Sequence, residues 1–92
     1  MQILFFIFFK TLDGLEINTT LRVSTWVEDD EMYLMPCRFI AVINEGNAYN
    51  LKVEVLDPSG FIQDNYLEKK FFFGHTGKVI GYGILKGIGS HI

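Results

Sequence analysis

The sequence predicts a single all-β domain over residues 1–92, a small closed antiparallel barrel of about six strands. Three observations carry that expectation. Thirty-five of the 92 residues are Ile, Val, Thr, Phe, Tyr or Trp and only two are Ala; branched and ring-bearing side chains lose rotamer freedom on a helix but sit well on a pleated surface. Apolar and polar residues alternate with a period of two in several stretches. Clusters of Gly, Pro, Asn and Asp punctuate the chain at short intervals. The chain is too short for a second core, and closing six strands removes the edges that template aggregation.

Residues 2–9 open the chain and are apolar on both parities, as suits a strand covered on both faces or lying at a domain contact. Asp13-Gly14 ends that run. The second strand, Leu21-Arg22-Val23-Ser24-Thr25-Trp26-Val27, alternates, and Glu28-Asp29-Asp30-Glu31 separates it from the third, residues 37–43, again apolar on both parities. Asn44-Glu45-Gly46-Asn47 leads into Leu51-Lys52-Val53-Glu54-Val55, with apolar odd and charged even positions. Asp57-Pro58-Ser59-Gly60 stops this fourth strand, because proline removes the ladder donor and glycine admits positive φ. Residues 61–70 are the least strand-like stretch, with room for one helical turn. Residues 71–73, the turn Gly74-His75-Thr76-Gly77 and residues 78–85 then form a final hairpin. Gly81 and Gly83 share one face of its second strand, where missing side chains let a barrel bend or another strand pass closely.

Charge and cysteine usage narrow the setting. Eight basic against eleven acidic residues give a net charge of −3, so the chain exerts no general attraction on phosphate backbones, and nucleic-acid binding is disfavoured. One cysteine, Cys37, cannot staple the fold, which points to a reducing, cytoplasmic compartment. The opening apolar run has no basic residue before it, is closed by Lys10, and is followed by no small-residue cleavage site, so it does not read as a signal peptide. It is also far shorter than the roughly 20 residues of a membrane-spanning helix, and no membrane association is expected.

Catalytic and cofactor motifs fail on spacing. Gly74-His75-Thr76-Gly77-Lys78 resembles the end of a phosphate-binding loop, but Phe72 stands where its first glycine belongs and Val79 where its Ser or Thr belongs. Gly81-Tyr82-Gly83 has too little chain after it for a dinucleotide-binding βαβ unit. His75, His91 and Cys37 have no ligand neighbours at metal-site spacing, and the run Glu28, Asp29, Asp30, Glu31 lacks the alternating ligands and glycine of a calcium loop. No cofactor, no metal and no enzymatic activity are expected. The acidic run reads as a solvated turn or, functionally, as a patch that docks a basic partner. His75 has no orienting carboxylate nearby in sequence and belongs at most to a partner-binding turn. Trp26 lies on the opposite parity to Val23 and Val27, which predicts an exposed ring available for partner contact. Tyr33, Tyr49, Tyr66 and Tyr82 are further candidates for an exposed aromatic face, with core filling as the competing reading.

The segment from Asn50 to Pro58, together with Lys70-Phe71-Phe72-Phe73-Gly74-His75-Thr76-Gly77-Lys78-Val79-Ile80-Gly81-Tyr82-Gly83-Ile84-Leu85, resembles the end of the third, carboxy-terminal barrel domain of elongation factor Tu. The resemblance is best over residues 50–88 and elsewhere rests on strand order. It implies a closed barrel. The family's Gly-Gly-Arg-x-Thr-Pro and Gly-Tyr-Arg-Pro stretches, which contact aminoacyl-tRNA, have no counterpart in residues 13–37, so tRNA binding is not carried over. The leading functional expectation is a non-catalytic protein-binding module of a bacterial cytoplasm, in its specific form an immunity or antitoxin-like protein that neutralises a basic toxin one-to-one. Its binding residues would be Trp26, Glu28, Asp29, Asp30, Glu31 and His75. The alternatives are a translation or tRNA-associated accessory factor, and a barrel with a pocket near His75, Tyr82 and Asp57.

Overall fold

The computed structural model describes residues 2–75 and 77–90. Six strands, β1 (Gln2–Lys10), β2 (Arg22–Val27), β3 (Met35–Asn44), β4 (Tyr49–Val55), β5 (Lys70–His75) and β6 (Lys78–Ser90), close in the order β1-β4-β3-β2-β5-β6. Every ladder is antiparallel. One short 3-10 turn, Asp64–Tyr66, lies in the stretch that least resembles a strand. Strand termini differ from the sequence expectation by a few residues. β6 is the largest departure, continuing through Gly87 and Gly89, where the ring of Phe5 lies against both glycines and supplies the cover their own side chains cannot.

Alternation explains the interior. Leu4, Phe6 and Phe8 of β1, Val23, Thr25 and Val27 of β2, and Leu51, Val53 and Val55 of β4 all point inward and are buried. Phe6, Phe8, Phe39, Phe71 and Phe73 form the centre, with edge-to-face centroid separations of 5.0–6.0 Å. Such contacts add to the area term. Gly81 and Gly83 make room for them: a Cβ on Gly81 would strike the Phe8 ring and come within 2.5 Å of the Phe9 carbonyl, and one on Gly83 would lie 3.1 Å from the rings of both Phe6 and Phe73. The paired glycines thus serve close approach across the barrel. The one buried hydroxyl among the described residues, Thr25 Oγ1, donates to the Phe72 carbonyl at 2.8 Å.

Three irregularities interrupt the ladders, between Phe5 and Phe6 in β1–β6, where the extra residue lies on β6, between Phe39 and Ala41 in β3–β4, and between Phe73 and Gly74 in β5–β6. In β3 the odd residues Cys37 and Phe39 face inward, whereas beyond the bulge Ala41 and Ile43 face outward. The expectation that residues 2–9 and 37–43 are covered on both faces is therefore met only in part, because Phe5 is 40% and Ile43 57% exposed.

One end of the barrel is closed by Asp57. Its buried carboxylate accepts hydrogen bonds from Gln2 Nε2 (3.0 Å), Tyr33 Oη (2.7 Å) and the backbone amides of Phe61 (3.0 Å) and Ile62 (2.8 Å). A side chain so occupied ties the start of β1, the loop before β3 and the loop after β4 together.

Candidate functional site

The interior is filled by side chains, so a candidate site lies on the outer surface. The sequence-selected residues gather mainly on the β2–β5 side. Trp26 is the point of correction: it is only 8% exposed. The parity is as expected, since Val23, Thr25 and Val27 face inward while Trp26 faces out. The expected exposure is overturned, because Phe72 stands across the ladder with its ring 6.1 Å away and the loop between β2 and β3 folds back along this face. Trp26, Phe72, Met32, Leu34, Val79 and Glu31 line a depression of about 520 Å³. Lys78 sits on its hairpin side.

The loop of residues 28–34 is pinned at both ends. At the first, the Glu28 amide donates to the Lys70 carbonyl at 3.0 Å and its carboxylate lies 3.7 Å from Lys70 Nζ. That ammonium also stands 4.5 Å from the centre of the Tyr82 ring and 5.3 Å from that of Phe72. At the second, Tyr33 Oη bonds Asp57 and lies 2.8 Å from Ser59 Oγ. The Ser59 hydrogen bond lowers the Tyr33 pKa, but the bond to Asp57, desolvation and the Asp57 charge outweigh it, and the phenol stays above its ordinary value. In between, the Asp30 amide turns back to the Val27 carbonyl at 2.9 Å. Held this way, the loop presents Asp29, Glu31 and Met32 to solvent, Met32 being 93% exposed. Among the described residues no Lys or Arg pairs with Asp29, Asp30 or Glu31.

The tyrosines do not make an exposed face. Tyr33, Phe61 and Tyr66 pack in succession as tilted rings at 4.6 and 5.0 Å, and Tyr49 packs near Phe8 at 6.1 Å, these three tyrosines being half-buried edges of the core, while Tyr82, also half-buried, stacks on Phe9 at 5.1 Å. His75 is exposed at the end of β5, opposite Lys78. Asp57 is at the far end of the barrel, beside Gln2, while the hairpin lies beyond Lys10, about 26 Å along β1 at ~3.3 Å per residue. The register therefore does not bring His75 and Asp57 into one pocket. Thr76 of the turn and His91 lie outside the described residues. Among the described residues no three His, Cys, Asp or Glu side chains gather to hold a metal, and no helix is long and apolar enough to cross a membrane. Cys37 is buried, and loss of hydration pushes its thiol up to about 12.

Sequence reasoning missed Met32, Leu34 and Val79, which have no motif and become neighbours only through the fold; the one signal for them was apolar character beside a charged turn. Compared with known proteins, the chain matches no family model, no curated protein and no solved structure. The resemblance of residues 50–88 to elongation factor Tu rests on the quoted segments alone.

Proposed function

We propose that this chain is a non-catalytic protein-binding module that engages a basic partner one-to-one through the loop of residues 28–34 and the adjoining Trp26 depression. The observation that carries this reading is the placement of Asp29 and Glu31, which pair with no Lys or Arg among the described residues, around an exposed apolar anchor, Met32, on a loop pinned at both ends. An anchored loop loses little conformational freedom on docking, so more of its contact energy appears as affinity. The carboxylates steer a cationic surface into register and repel acidic ones, while Met32 and Leu34 supply area that adapts to the partner's shape. In the specific form of this reading the partner is a basic toxin, such as a nuclease, whose substrate-facing surface the loop covers in a bacterial cytoplasm.

Native purification followed by charge reversal tests it. The expected result is a one-to-one complex with a basic protein, weakened by salt and weakened at least about tenfold by the double change Asp29→Lys with Glu31→Lys while the free module melts at an unchanged temperature. If the captured protein is a toxin, one equivalent of the module abolishes its activity. Recovery of monomer alone, a complex indifferent to the double change, or salt-dependent binding of tRNA in its place would overturn the reading.

A further inference from the structure

On the side of the ring away from the Trp26 depression, the outer face of β1, β4 and β3 carries a second groove, of about 460 Å³. Its floor follows from the bulges: the β3 bulge turns Ala41 and Ile43 outward to join Phe5 and Ile7 of β1. The ladder registers arrange them in two rows. In one, Phe5 lies between Lys52 on β4 and the bulged stretch of β6 that bears Lys86; in the next, Ile7 faces Asn50, which faces Ile43. Lys52 and Lys86 therefore flank Phe5 from the two neighbouring strands, about two strand spacings or ~10 Å apart at the backbone. Their charges are not equally available. Lys86 Nζ donates to both oxygens of Glu68, at 2.9 and 3.1 Å, whereas Lys52 has no carboxylate partner among the described residues.

An apolar floor of this size with one uncompensated cation at its side is complementary to a ligand that is mostly hydrocarbon and bears a single negative charge. Small-ligand sites have this volume range and this ratio of apolar lining to polar handles. We infer that the groove binds a monoanionic amphiphile, with its chain along Phe5, Ile7, Ala41 and Ile43 and its carboxylate on the Lys52 ammonium. A small hydrophilic anion would leave the floor uncovered. A symmetric second copy would bring two Lys52 residues to the same interface, and the Lys52 ammonium beside the floor repels a cationic head group at close range.

The test uses the whole chain titrated calorimetrically with dodecanoate, dodecanol and dodecyltrimethylammonium, each below its micelle concentration. One equivalent of dodecanoate is expected to bind, with the cationic analogue showing no measurable binding. Lys52→Gln should weaken dodecanoate about tenfold and leave dodecanol unchanged, as loss of a charge-assisted contact requires. Ile43→Asp, at a position already 57% exposed and so compatible with folding, should weaken both. The double reversal at Asp29 and Glu31 should change neither, which separates this site from the partner-binding loop. Equal binding of the cationic analogue, no binding of dodecanoate, an unchanged affinity in Lys52→Gln, or a dimer that Ile43→Asp dissociates would each overturn the inference, the last by giving the groove to a second copy.

Discussion

Gly81 and the Phe8 ring occupy complementary space: the ring fills the position that a Cβ on Gly81 would take. The Phe9 carbonyl, 2.5 Å from that same point, adds a backbone obstacle that no rotamer change relieves. Gly81→Ala is therefore expected to destabilise the barrel by about 3 kcal/mol, the upper range for overpacking. Gly87→Ala, whose added methyl has the Phe5 side chain as its nearest neighbour, in ordinary contact at 3.4 Å, should change stability by no more than about 0.5 kcal/mol. Urea unfolding of the two variants measures the contrast, and equal losses would contradict it.

Asp57→Ala removes four hydrogen-bond acceptor contacts at once and strands the amide of Ile62, whose bond is fully interior. The expected cost is about 3 kcal/mol in chemical denaturation. Ser59→Ala, which affects only the exposed contact to Tyr33, should cost less than about 0.5 kcal/mol.

Cys37 gives a pH dependence with a definite sign. Its folded thiol titrates at about 12, against an ordinary value of 9.0, so the unfolded chain loses the proton first. Stability from this group is complete below pH 9.0 and declines as pH rises from there toward about 12, at up to roughly 1.4 kcal/mol per pH unit. Comparing the wild type with Cys37→Ala between pH 8 and 10.5 isolates the slope from other alkaline titrations. The native thiol should also react with iodoacetamide only at the rate of unfolding or local opening. A prompt reaction at neutral pH would show that the thiol is accessible.

Trp26 is the sole tryptophan and is nearly buried on the outside of the barrel. Its native emission should be blue-shifted and poorly quenched by acrylamide compared with the urea-unfolded chain. Trp26→Ala should cost about 3 kcal/mol, as for a core aromatic, despite its position outside the phenylalanine cluster. Met32→Ala, by contrast, should leave the melting temperature of the free protein unchanged.

Much of this architecture was legible because the sequence repeats one local rule. The Leu51–Val55 alternation placed three residues inside the barrel, and Asp57-Pro58 with Gly60 at φ 67° ended β4 where expected. The hairpin around Gly77 and the role of Gly81 and Gly83 followed from the same steric reasoning. What escaped depends on partners distant in sequence. Nothing local to Phe39–Ala41 marks a bulge, which is set by how β3 and β4 must curve to close the ring. The burial of Trp26 needs a loop whose return path is fixed by Tyr33 reaching Asp57, 24 residues away. The acidic run was visible in the sequence, whereas its apolar neighbours Met32 and Val79 were assembled only by folding.

The ladder that joins β1 to β6 places the seam of the ring between its earliest and its latest strands. During synthesis, then, no intermediate length of chain has every strand mated. Until residues 78–90 leave the ribosome, β1 and β5, which together carry seven of the nine phenylalanines, keep an unmated backbone edge and an incomplete cover for those rings. Until then the sheet is open at both edges, the state in which unpaired strands template association.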